Sequence, residues 1–159
     1  FRDIGCFAVG IDLNPGKSNK YVTTGDFHDI DYPDESVDVV FTNCLDHVYR
    51  LRKFLSEVRR ILKKSKSPLV MSTGIFILEL EGKKKKEADR WSCLHWETYE
   101  DFLELFKEEG FEMIRKSSFQ SIWFREQIVF KKTPISELPP LYWVNQRPAK
   151  SAGMSKFPW

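Results

Sequence analysis

Three short apolar runs in the first 42 residues, each bounded by turn formers, constrain this chain more than any other feature. Phe7-Ala8-Val9-Gly10-Ile11-Asp12-Leu13 is stopped by Asn14-Pro15-Gly16. Tyr21-Val22-Thr23-Thr24 is stopped by Gly25-Asp26, and Val37 to Thr42 follows the turn Pro33-Asp34-Glu35-Ser36. Brief apolar runs with Gly/Pro punctuation are the pattern of buried strands. A different period follows. Leu45, Val48, Leu51, Phe54, Leu55, Val58, Ile61 and Leu62 recur at steps of three and four, the stripe of an amphipathic helix. Arg50, Arg52, Lys53, Glu57, Arg59 and Arg60 take its remaining faces, and Lys63 and Lys64 suit the negative end of the helix dipole.

Leu69 to Thr73 is expected as a fourth strand, open to extension through Ile75 to Leu80. Glu81 to Arg90, with Lys83 to Lys86, has the charge of a solvated loop. A second helix is expected from Thr98, an N-cap with Asp101 three residues on, to the stop at Gly110; Tyr99, Phe102, Leu103 and Phe106 form its apolar face. Phe111 to Phe119 and Ile122 to Phe130 suit a hairpin. Strands alternating with helices predict an α/β domain with a mainly parallel sheet, whose ligands sit at the carboxyl ends of the strands. The expected organisation is a partial domain over 1–132 and an extended or disordered Pro/aromatic tail over 133–159.

A length of 159 residues fits one domain, and 42% apolar with 30% charged residues is the composition of a globular protein. A net charge of +2 gives no field for nucleic acid, and no apolar stretch approaches the ~20 residues of a membrane span. No nucleic-acid partner and no membrane segment are therefore expected. Cys6, Cys44 and Cys93 form no CxxC or Cys/His ligand spacing, so the expectation is no metal site and reduced thiols in a cytoplasmic protein. The chain starts at Phe1 rather than Met, as a fragment or processed product would, which leaves an upstream anchor open.

The strand ends carry the chemistry. Asp12 can accept from both hydroxyls of a ribose, or can serve as a turn residue. In Gly25-Asp26-Phe27-His28 the glycine lets the backbone approach a flat ring, the carboxylate can accept from an exocyclic amine, and the phenyl can cover a ring face. Thr42-Asn43-Cys44-Leu45-Asp46-His47 is a polar cluster leading into the helix. Gly16-Lys17-Ser18 looks like the end of a P-loop, but the required upstream glycine would fall at Ile11.

In order, Val-Gly-Ile-Asp-Leu, Gly-Asp-Phe-His, Pro-Asp-Glu-Ser-Val-Asp-Val-Val-Phe-Thr-Asn, Leu-Asp-His-Val and Phe-Leu-Ser-Glu-Val-Arg-Arg-Ile-Leu-Lys resemble class I S-adenosylmethionine-dependent methyltransferases of the type 11 group, most like a plant-type subgroup. The resemblance is close over Ala8 to Thr73 and looser over Thr98 to Lys132. It implies a Rossmann-like sheet with a C-terminal antiparallel hairpin, S-adenosyl-L-methionine as cofactor, and methyl transfer to a small-molecule or unassigned acceptor. Asp12 would bind the ribose hydroxyls and Leu13 the adenine. Asp26 would take the adenine amine, Phe27 would line the adenine pocket or offer its amide, and Asn43 would lie near the methionine part. Asp38 would support the site.

The family's first strand and Gly-rich loop would precede Asp12, and only eleven residues stand there. That strand is the central one, between those of Asp12 and of Val37–Thr42. Without it the two must pair with each other or leave exposed edges. A general base is needed only if the acceptor arrives protonated; His47 is the candidate, with loop hydrogen bonding as its competing role. His95, Trp91 and Trp96 fall where such enzymes build an acceptor cover, although packing in the core is the better reading of all three. Two other function classes fit less fully: a non-catalytic scaffold module that keeps the fold, and a nicotinamide-dependent oxidoreductase using Asp12 on its ribose.

Overall fold

The computed structural model describes residues 1–64, 74–81, 94, 99–119 and 125–134. Its strands are β1 (Gly10–Asp12), β2 (Val22–Thr24), β3 (Val39–Thr42), β4 (Ile75–Glu81), β5 (Phe111–Phe119) and β6 (Arg125–Lys132). The helices are α1 (Leu51–Ile61) and α2 (Tyr99–Glu108), with single 3-10 turns at Arg2–Ile4 and Leu45–His47. The fold is α/β, with parallel pairing in β1-β2 and β3-β4 and an antiparallel edge in β6 and β5.

The strands form two ladders. β1 and β2 pair in parallel, and a four-stranded sheet runs β3-β4-β6-β5. β3 and β4 are parallel, whereas β6 is antiparallel to both β4 and β5, so the predicted hairpin closes the sheet. Phe76 on β4 anchors the core. Its ring meets those of Phe54, Phe106, Phe111 and Phe130 at centroid separations of 5.6–6.1 Å, contacts that add to the burial of their apolar area. Leu78 and Leu80 share its face of β4, and α1 covers them with Phe54, Leu55 and Val58.

Several sequence expectations shift. The first run shrinks to Gly10–Asp12, because only three residues pair with β2; Phe7 stands 91% exposed. The fourth strand falls on Ile75–Glu81, and Leu69–Thr73 lies outside the described residues, as do Trp91, Cys93, His95, Trp96, Thr98 and the tail beyond Pro134. The helical stripe from Leu45 to Leu62 is broken between Val48 and Arg50. The cause is competition for hydrogen bonds. In a continuous helix the Arg50 N–H would bond to the Asp46 carbonyl. Here that N–H donates to His28 Nε2 at 3.4 Å, and the Asp46 carbonyl accepts from Leu94 N at 3.1 Å.

The β1 and β3 edges stay apart, which decides between the two outcomes expected from the sequence. The Gly10 N–H bonds to the Tyr21 carbonyl and the Gly25 N–H to the Asp12 carbonyl, so Gly10 and Asp12 face β2. Likewise the Asp38 carbonyl accepts from Ile75, which turns Val40 and Thr42 toward β4. Alternation along each strand then turns the backbone groups of Ile11, and of Val39 and Phe41, to the side that no described strand pairs.

At the other end of the sheet two buried cations tie elements together. Arg59 donates to the Gly110 carbonyl and, at 2.6 Å, to the Thr133 carbonyl. Lys132, 6% exposed, donates to the Leu62 carbonyl at 2.7 Å. Burial, with the Arg59 charge beside it, pushes the Lys132 ammonium down from 10.5 to about 8. The unfolded chain therefore holds this proton over a pH range in which the folded chain has released it, and stability rises with pH through that range. Urea unfolding between pH 8 and pH 10.5 should show this rise, and Lys132→Met should flatten it.

Candidate functional site

Because β1 and β2 are parallel and in register, with Asp12 opposite Thr24, their carboxyl ends lie side by side. Asp12 emerges at the first. Its Oδ1 accepts from the Asn14 N–H at 2.7 Å, so the turn role is real and occupies one carboxylate oxygen. Leu13 is 66% exposed beside it. At the second strand end, Gly25 passes so close to β1 that a Cβ there would stand 2.9 Å from Ile11 Cγ2.

Asp26 is held from one side. Its Oδ1 accepts from the His28 N–H and from His28 Nδ1, both at 2.8 Å. His28 is fully buried, its ring lying 4.6 Å from Phe27 and 4.0 Å from Tyr49. Nε2 accepts from the Arg50 N–H, so the neutral ring must carry its proton on Nδ1 and donate it to Asp26. Burial pushes the Asp26 carboxyl up, but the His28 amide and ring and the Lys53 ammonium outweigh it, leaving the group below the ordinary carboxylate range. Asp26 is thus ionised near neutrality, with its side chain 39% exposed. The Phe27 ring packs edge-on against Phe54 at 5.5 Å, toward α1.

Asn43 and His47 follow β3 in the other ladder. The buried Thr42 hydroxyl accepts from the Cys44 N–H at 3.3 Å and lies 3.2 Å from Cys44 Sγ. Asn43 is exposed between them. His47 ends the 3-10 turn with a half-exposed side chain and its Nε2 3.9 Å from Asp46 Oδ2. Asp38, given a supporting role by the sequence, pairs with Lys63 at 2.7 Å. Among the described residues no three His, Cys, Asp or Glu side chains gather as a metal site, and no described helix is long and apolar enough to cross a membrane.

The residues that fix this site are ones the sequence placed on solvent faces. Glu57 is 3% exposed; its Oε2 accepts from the Ile30 N–H at 3.0 Å and from Arg60 at 2.9 Å. Arg60 also donates to the carbonyls of Ile30 and Tyr32 and to Asp34, so one guanidinium fastens the loop after Asp26 to α1. Charge position on the helix gave no sign of this, because the partners lie more than twenty residues upstream.

Residues 1–67 match the family described as a methyltransferase domain. Among solved structures the chain is similar to the PH0226 protein from Pyrococcus horikoshii, with 18% identity and a TM-score of 0.57 over 83% of this chain and 74% of that one. It is similar to a SAM-dependent methyltransferase from Methanosarcina mazei, with 14% identity and a TM-score of 0.55 over 79% and 81%. It is also similar to the [4+2]-cyclase SpnF, with 14% identity and a TM-score of 0.52 over 70% of this chain and 55% of that one. No curated protein matches the chain in sequence. These likenesses show the fold alone, the Rossmann-like fold of class I methyltransferases, and such a fold hosts more than one chemistry.

Glu57→Ala should strip the Ile30 amide and one arm of Arg60 of their acceptor, costing about 2 kcal/mol. Urea unfolding measures the loss, and faster hydrogen exchange at Ile30 should locate it in the loop.

Proposed function

We propose that this chain provides the adenosine-binding part of an S-adenosylmethionine-dependent methyltransferase. The observation that carries the reading is the pair of carboxylates, Asp12 and Asp26, on neighbouring parallel strand ends, with Asp26 ionised and bonded through Oδ1 alone among the described residues. The donor set suits the group. Asp12 would accept from the ribose hydroxyls with the oxygen its turn leaves over, and Asp26 would accept from the adenine amine. Leu13 would cover one face of the base. Phe27, turned toward Phe54, would contribute its amide rather than its ring. Asn43 would stand by the methionine part.

The cofactor supplies an electrophilic methyl group, so the protein's task is orientation more than proton transfer. His47, half-exposed after β3, would take a proton from an acceptor that arrives protonated. The resemblance implies one further parallel strand between β1 and β3, on the side where no described strand pairs Ile11, Val39 and Phe41. A cytoplasmic location accords with the thiols of Cys6 and Cys44, both unpaired in the structure. The non-catalytic alternative starts from the same β1 and β3 edges, which no described strand pairs.

Calorimetric titration with S-adenosylhomocysteine should give a micromolar dissociation constant for the folded chain. Asp12→Ala should weaken it about tenfold or more, that is by ~1.4 kcal/mol, while Glu112→Gln on the outer strand β5, paired only with Lys131 among the described residues, leaves it unchanged. A folded chain that takes up no ligand at millimolar concentration defeats the reading.

A further inference from the structure

His28 has no assigned part in ligand binding, yet its amide and both ring nitrogens are all hydrogen-bonded. Its ring is fully buried with both nitrogens engaged, one on Asp26 and the other on the Arg50 amide at the start of α1. The two bonds have opposite sense, so they fix one tautomer and one ring orientation. They also fix which Asp26 oxygen is used up. Oδ1 receives both the His28 amide and the His28 ring, and the carboxylate cannot rotate without breaking two hydrogen bonds at 2.8 Å. The ring is confined in turn by Tyr49 on one side and Phe27 on the other, and Phe27 is braced by Phe54 of α1.

We infer that His28 is a positioning residue that clamps Asp26 Oδ1 so that Oδ2 is presented to an amine of the bound base, making the site select a 6-amino over a 6-oxo purine. The inference rests on the adenosine-binding reading above. An ionised, fixed carboxylate is acceptor-only, so it welcomes an exocyclic amine and repels a carbonyl at the same place. A carboxylate free to rotate would move aside or admit a bridging water, and the discrimination would fade. The clamp also links the site to the helix, because the donor that orients Nε2 is the N–H of Arg50, the N-cap of α1.

Two conservative variants separate clamping from packing. In His28→Asn the side-chain amide nitrogen falls near the place of Nδ1 and can still donate to Asp26. In His28→Gln the side-chain oxygen falls near the place of Nε2 and can still accept from Arg50, but Asp26 loses its side-chain donor. The probes are S-adenosylhomocysteine and S-inosylhomocysteine, titrated into the full chain. Wild type should prefer the adenine ligand by about tenfold or more, because the oxo analogue leaves the carboxylate facing a carbonyl. His28→Asn should keep that preference, and His28→Gln should reduce it to within about twofold. A purely structural His28 would change stability in both variants and leave the ratio alone.

A preference unmoved in His28→Gln, or lost equally in both variants, overturns the clamp while leaving adenosine binding standing. Binding of neither ligand by folded wild type overturns both. A second measurement needs no variant to fold. Long-range nitrogen–proton correlation spectra of the wild-type chain should show His28 as the Nδ1–H tautomer, and an Nε2–H tautomer contradicts the clamp outright.

Discussion

The structure depends on helix α1 acting as the bridge between two ladders that share no strand pairing. In a parallel sheet the backbone groups of each interior strand bond on both sides, and those bonds normally carry register from one end of the sheet to the other. Here no described strand joins β1 to β3. What crosses from one ladder to the other is a set of contacts from the segment after β2 to α1. The His28 ring accepts the Arg50 amide, the Ile30 amide reaches Glu57, Arg60 gathers the Ile30 and Tyr32 carbonyls, and Phe27 leans on Phe54. α1 is in turn fastened to the four-stranded sheet by Phe54 against Phe76 and by Arg59 against Gly110 and Thr133.

The same bridge accounts for the site. Its segment begins at Asp26, so the contacts that fix the loop also fix a carboxylate at a strand end. Burying Glu57 is tolerable because Arg60 and the Ile30 amide both bond to it; removal of Arg60 would leave a buried charge uncompensated. Asp12, by contrast, is held only by its own turn through Asn14. One carboxylate is set by tertiary structure and the other by local chain geometry, which is why substitutions around α1 reach Asp26 first.

Much of this was legible in the sequence. Strand and helix types followed from apolar periodicity, and the hairpin of β5 and β6 was visible in its two flanking runs. The strand-end residues Asp12 and Asp26 stood out because turn formers mark where strands stop. The features that were not legible are mostly long-range contacts between side chains and distant backbone or rings. The break before α1 needs His28, twenty-two residues away, to compete for the Arg50 amide. The burial of Glu57 and Arg59 needs acceptors and donors from distant turns, so a helical wheel assigns both to solvent. The inward lean of Phe27 needs Phe54. The short pairing of β1 was hidden too, since Phe7 and Val9 are apolar yet lie outside the ladder.

The claim that α1, and not strand pairing, joins the two ladders is tested most directly by amide hydrogen exchange on the native chain. The amides of Gly10, Val40 and Thr42, which face paired strands, should exchange slowly, and those of Ile11, Val39 and Phe41 should exchange close to the rate of an open peptide. Protection of Ile11, Val39 and Phe41 equal to that of their neighbours would mean that the β1 and β3 edges are paired, and would contradict the account.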